Sequence, residues 1–178
     1  MSNELQIAIS GKSGCGNTTT SRLVAARLGL RVVNYTFKDL ARDRGVSFDE
    51  ICRLAETDPQ YDRTIDNMQI ELAEKGDCVL GSRLAIWLLR QAAVTVYLYA
   101  SLEVRAGRIA HREGWTLEKA MIHTETRDKR DHDRYLRLYG YDVDTFDFAD
   151  FVLNVETLNQ DEVARAVVQH VAGAAGQP

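Results

Sequence analysis

The sequence predicts an α/β fold: three layers, with a parallel sheet covered by helices on both faces. Three observations carry this expectation. Short apolar runs alternate with stretches of helical periodicity along the 178 residues. The runs are apolar throughout, as strands buried on both faces must be. The first run ends in a glycine-rich turn that opens a helix, and ligands of such sheets bind at these carboxyl ends.

Taken in order, residues 5–10 form a strand ended by Gly11. Residues 18–28 place Leu23, Val24, Ala26 and Leu28 at helical spacing, closed by Gly29. Residues 30–33 are a second strand, and 37–43, 47–55 and 58–74 are three helices. The second of these opens on SFDE, in which Ser47 and Glu50 satisfy each other's backbone donors as a capping box. Residues 78–80 are a third strand, with a helical stretch near 84–91. Residues 93–99, AVTVYLY, are β-branched and aromatic, the strongest strand signal in the chain. Helices at 102–112 and 117–135, a strand at 151–154 and a helix at 161–171 follow, and 173–178 are expected to fray.

Hydrophobic residues make up 45% and charged residues 27%, the balance of one water-facing domain. The net charge of −4 provides no global field for nucleic acid or an anionic membrane, so neither is an expected partner. Any anion must be held by a local basic cluster. The first ten residues lack the basic and apolar regions of a signal peptide. Cys15, Cys52 and Cys78 are odd in number and far apart, so reduced thiols and a cytoplasmic location are expected. Cys15 sits beside a helix start, where a thiolate is favoured.

Residues 11–19 read GKSGCGNTT. Glycines let backbone N–H groups approach phosphate oxygens without a Cβ in the way, and the following helix adds its unsatisfied donors. Gly11, Lys12, Ser13, Gly14, Cys15, Gly16, Asn17, Thr18 and Thr19 are therefore candidate ATP-phosphate ligands. Thr18 stands at the hydroxyl position of the motif G-x-x-x-x-G-K-[ST], where it would hold Mg²⁺ accompanying ATP. Asn17 occupies the place of the motif lysine, and Lys12 is the one other cation in the loop.

Arg127, Arg130 and Arg134 fall at i, i+3 and i+7 on one helix face, with Lys129 and His132 expected off it. A phosphoryl-transfer site needs such a face to neutralise charge, and guanidinium forks suit phosphate oxygens. Arg83 follows the third strand, at the edge where the ligand crevice should lie. Asp62, Asp66 and Gln69 share another helix face at i, i+4 and i+7, suited to sugar hydroxyls and base edges, and Lys38 could meet a phosphate. The residues alone leave open a kinase for another acceptor, such as AMP or a small-metabolite hydroxyl, and a nucleotide-binding regulator without turnover.

In this order and spacing, ISGKSGCGNTTTSRLVAARLGL, YDRTIDNMQ, LGSRLAIW, LEVRAGRIAHREG and TRDKRDHDRYLRLYGYD resemble the short, archaeal-type cytidylate kinases over nearly the whole chain. The resemblance implies a P-loop NTPase-type fold with a five-stranded parallel sheet and a core of 1–35, 76–112 and 149–173. It further implies an acceptor-binding insert at about 36–75 and a lid at about 113–137. It implies ATP, Mg²⁺ and CMP or dCMP as partners of a monomer, with Lys12 and Arg108 on the ATP side. Arg83 and Arg127 would hold the acceptor phosphate, Arg130 and Arg134 would face the moving group, and Asp131 would lie near the acceptor ribose. Family members often carry an acidic residue where Gly81 stands, and an Arg where Lys38 stands.

Overall fold

The structure, a computed structural model, describes residues 5–92 and 94–175. Its order is β1 (Gln6–Gly11), α1 (Asn17–Leu28), β2 (Arg31–Val33), α2 (Phe37–Arg44), α3 (Phe48–Ala55), α4 (Gln60–Ala73), β3 (Cys78–Gly81) and α5 (Ala85–Leu88). Then follow β4 (Val94–Tyr99), α6 (Leu102–Glu113), α7 (Leu117–Tyr139), β5 (Phe151–Asn154) and α8 (Gln160–Ala175). The five strands form one sheet in the order β2-β3-β1-β4-β5, and every pairing is parallel. β1 lies at the centre, so the loop after it opens at the middle of the sheet's carboxyl edge.

Strand alternation sorts the core into two layers. Ile7 and Ile9 of β1, Val79 of β3 and Val96 and Leu98 of β4 face Val24 of α1 and Val163 and Val167 of α8. Ala8, Leu80 and Tyr97 point the other way, toward Ala73, Ile86, Trp87 and Tyr135. The same layer includes the stretch between α7 and β5. There Phe146 stacks on Tyr97 at 3.8 Å between ring centroids, and Phe148 meets Trp87 edge-on at 5.7 Å. A satellite cluster of Leu40, Ala41, Ile51 and Ile65 holds α2, α3 and α4 together, within the proposed insert.

Several expectations need correction. Helix α8 continues to Ala175, through the start of the stretch expected to fray; residues 176–178 lie outside the described residues, as does Ala93 at the start of the fourth strand. Only four residues of the stretch near 84–91 are helical. α7 runs four residues beyond its expected end, to a cap at Gly140 whose φ of 70° suits glycine. Along that helix Ala120, Thr124, Asp131 and Tyr135 are buried.

Candidate active site

One cleft of about 2530 Å³ runs along the carboxyl edge of the sheet. It brings together every residue expected to form the site except Gly11 and Lys38. Gly11 serves the site from behind. A Cβ there would sit 2.6 Å from the Leu98 carbonyl oxygen and 2.7 Å from Asn17 Oδ1, so only glycine lets the loop leave the strand here. Lys38 is a correction: it is exposed outside the cleft, its ammonium 5.7 Å from the Phe48 ring centroid.

A loop that presents N–H groups inward must turn its carbonyls outward, and each of these needs a donor. Asn17 Nδ2 donates to the Gly11 carbonyl at 2.5 Å, and Cys15 N to that of Lys12 at 3.1 Å. Arg105 Nη1 donates to Ser13 at 3.1 Å and Arg108 Nη1 to Gly14 at 3.4 Å. Gly14 and Gly16 adopt φ of 89° and 96°, the left-handed turns that such a cradle requires. The residue in the motif-lysine position thus closes the loop by a side-chain amide, while two guanidinium groups lie behind it. Arg105 went unrecognised in the sequence. Its one signal was a charged residue in the apolar stripe of a helix.

Lys12 lines the cleft, but its ammonium pairs with Asp144 Oδ1 at 2.5 Å. Asp144 belongs to the stretch after α7, where His132 Nε2 also lies 3.3 Å from Asp142. Thr18 is exposed to the cleft on the first turn of α1. Ser82 Oγ, at the end of β3, is buried with no hydrogen-bond partner. A Cβ on Gly81 would run into the Ser21 side chain, so an acidic residue at 81 is sterically excluded in this arrangement. The hydroxyl of Thr18 could serve as one direct ligand of a hard cation that keeps most of its water and phosphate ligands.

Cys15 is a second correction. Its side chain points into the core, 4% exposed, and burial pushes its thiol pKa up, with nearby Arg105 only partly opposing. The helix-terminus argument fails because desolvation of a thiolate outweighs a partial charge. Labelling of Cys15 by a thiol reagent is therefore expected to be slow with or without ATP. Rapid labelling of the nucleotide-free protein would contradict this burial.

On the acceptor side the charges interlock. Arg83 Nη1 donates to Asp131 Oδ2 in a short contact, and Arg134 lies 3.7 Å from Asp131 Oδ1 and 3.4 Å from Asp62 Oδ1. Asp131, 5% exposed, is thus engaged by two arginines rather than standing free for a sugar. Burial works against the charge on Arg134, yet Tyr135, Asp62 and Asp131 together hold its pKa above the ordinary value. Burial and then the Arg83 charge hold Arg127 below its ordinary value, as two cations converging on one place would. Arg130 lines the cleft, exposed and without an ion-pair partner among the described residues. Lys129 lines the cleft too, against expectation, because a helix at the wall of a wide cleft presents a broad arc to it.

Gln69 is fixed by donating Nε2 to the Tyr35 carbonyl at 2.8 Å, and its buried Oε1 lacks a partner. Asp66 accepts from the Tyr139 hydroxyl at 2.5 Å, and burial pushes its pKa up to about 6. The sign follows directly. Between about pH 4, the unfolded value, and pH 6 the folded protein keeps a proton that the unfolded chain has lost. This contribution is whole below pH 4 and lost as pH rises through 6. Asp66→Asn should therefore gain stability over wild type progressively across that window, reaching roughly 2–3 kcal/mol in denaturant titrations. A difference independent of pH would refute the assignment.

This arrangement can hold a triphosphate at the loop and a second anion beneath the arginines. Known proteins resemble this chain in sequence and in fold. The cytidylate kinase-like family matches residues 6–157. Cytidylate kinase 2 of Borreliella afzelii is 43% identical over 163 residues, 89% of this chain and 92% of the relative. The cytidylate kinase of Pyrococcus horikoshii is 35% identical over 173 residues, 94% and 90% of the two chains. Among solved structures, shikimate kinase from Acinetobacter baumannii superposes with a TM-score of 0.67, covering 98% of this chain and 97% of its own. At 19% identity that likeness speaks for the P-loop kinase fold alone. With the family model matching residues 6–157 and relatives 35–43% identical over about nine-tenths of its length, the chain belongs to the cytidylate kinase-like family.

Proposed function

We propose that this protein is a cytidylate kinase that transfers the γ-phosphoryl group of ATP to CMP or dCMP, giving ADP and CDP or dCDP. The observation that carries the reading is the meeting of the phosphate loop with Arg83, Arg127, Arg130 and Arg134 across one cleft, in a chain of this family. A phosphate acceptor arrives ionised, so the site needs charge neutralisation and alignment more than a general base. No catalytic histidine is required.

In this reading residues 11–19 surround the β- and γ-phosphates, and Arg108 braces the ATP side. Thr18 would hold Mg²⁺, which when bound neutralises charge on the phosphates. Lys12 is free to help: a half-exposed ion pair such as that with Asp144 is worth only about 0–1 kcal/mol, so a polyanion can draw the ammonium away. Arg83 and Arg127 take the acceptor phosphate, while Arg130 and Arg134 face the transferring group. Asp62, Asp66 and Gln69 form the wall for the nucleoside, and Asp131 acts through the two arginines it holds.

The decisive assay couples ADP release to a panel of CMP, dCMP, UMP, AMP and GMP. Turnover should be highest with CMP and dCMP and require Mg²⁺. Turnover with AMP alone would move the protein to another acceptor class. Tight ATP binding with no turnover on any acceptor would make it a regulator.

A further inference from the structure

Arg105 is the most enclosed arginine or lysine among the described residues, 5% exposed, yet no step of the proposed transfer uses it. It joins three elements. Its Nε donates to the Ala100 carbonyl at 3.0 Å, just past β4. Its Nη1 donates to the Ser13 carbonyl of the phosphate loop at 3.1 Å. The same Nη1 lies 2.8 Å from Asp128 Oδ2 on α7. Asp128 is itself largely enclosed, with a side chain 14% exposed.

The fit around this group is tight. A Cβ on Gly14 would lie 2.8 Å from the Arg105 carbonyl oxygen and 2.9 Å from its Cβ, so loop and α6 are in direct contact without slack. Asp128 adjoins Arg127 in sequence and lies less than a turn from Arg130. One guanidinium therefore links the carbonyl that must point outward when the loop cradles phosphate to the helix that carries the acceptor arginines. A rigid link of this kind passes displacement between its ends, because packed groups shift together rather than deform.

We propose that Arg105 is a positioning residue that couples occupancy of the phosphate loop to the setting of α7, through the Ser13 carbonyl and Asp128. When triphosphate fixes the loop, Arg105 fixes Asp128, and α7 presents Arg127 to the acceptor phosphate and Arg130 to the transferring group. By reciprocity a bound acceptor, drawing on those arginines, tightens the loop on ATP. The proposal rests on the two-nucleotide reading of the cleft, and its test separates the two.

The affinity of a non-hydrolysable ATP analogue is measured by calorimetry with and without saturating CMP, and CMP binding is measured alone. In wild type, CMP should tighten analogue binding by about 5- to 100-fold, the usual range of such coupling. Asp128→Asn keeps the shape but removes the charge. It should bring that factor close to one, while affinity for the analogue alone stays within about threefold, and Asp128→Glu should restore part of it. Failure of CMP to bind wild type at all would sink the acceptor reading. Binding of both nucleotides without coupling, or full coupling retained in Asp128→Asn alongside a lowered Tm, would show Arg105 to be structural only. Should Asp128→Asn not fold, hydrogen exchange on wild type decides instead. The analogue alone must slow exchange along residues 117–139, and unchanged exchange there overturns the proposal.

Discussion

Replacing Arg83 by Ala should lower kcat/KM for CMP by about 10²–10³-fold, the scale of removing one charged donor from a transferring phosphate, while KM for ATP stays near wild type. The asymmetry follows from position. Arg83 stands two residues beyond β3, at the edge of the sheet, and its guanidinium is held by Asp131 rather than by any residue of the phosphate loop. It is therefore fixed before either nucleotide arrives and contributes to ground-state binding as well as to the transition state. Its removal also leaves the Asp131 carboxylate with a more distant partner in Arg134, so some loss of stability accompanies the loss of activity. Arg83→Lys separates the two effects: it keeps a charge for Asp131 but loses the two-pronged contact to phosphate. KM for CMP should stay raised in Arg83→Lys while Tm recovers. A variant whose KM rises for ATP and not for CMP would place Arg83 on the donor side.

The fold was legible because buried parallel strands leave continuous apolar runs and the helices between them carry firm end signals. Ser47 and Gly29 are such signals, and both cap helices. Only half of the expected capping box forms, however: Ser47 accepts from Glu50 N, while the Glu50 carboxylate pairs with Arg53. The candidate site was legible where a residue's role depends on local geometry. The glycine-rich loop is a nine-residue object, and Arg127, Arg130 and Arg134 share a face by helical period alone. What the sequence hid depends on partners far along the chain. Asp131 and Arg83 meet across 48 positions, and nothing in either motif announces the pair. Lys12 finds Asp144 only because Phe146 stacks on Tyr97 and brings the stretch after α7 down to the loop. Arg105 reads as one more charge in an arginine-rich stretch until burial singles it out. Cys15 was misread for a related reason. Position beside a helix terminus is visible in sequence, but the direction of the side chain, here into the core, is set by the turn's backbone.

Arg130→Ala should reduce kcat by about 10³-fold, at the lower end of what a transition-state arginine contributes, with KM for both nucleotides within about threefold of wild type. The argument starts from what Arg130 lacks. Arg83, Arg105 and Arg134 each have a carboxylate within 4 Å, whereas Arg130 has none among the described residues and is exposed within the cleft. Arg127, Lys129 and Arg137 also line the cleft without an ion-pair partner among the described residues. Exposed Arg130, however, shares the helix face of Arg127 and Arg134, and an unpaired cation there can strengthen its interactions as charge develops on the moving phosphoryl group. For the same reason its removal strands no buried partner, so stability should change by no more than about 0.5 kcal/mol. Arg130→Lys should recover only part of the loss, because a single ammonium cannot reproduce the fork. Lys129 cannot serve as the silent control, since it also lines the cleft. Arg165 on α8, exposed and outside the cleft, takes that place, and Arg165→Ala should match wild type. Steady-state kinetics on all three variants, with Tm as the check on folding, settle the matter. Arg130→Ala turning over within fivefold of wild type would mean that Arg127 or Arg134 supplies the charge, and that an unpaired arginine in this cleft is not where the transition state forms.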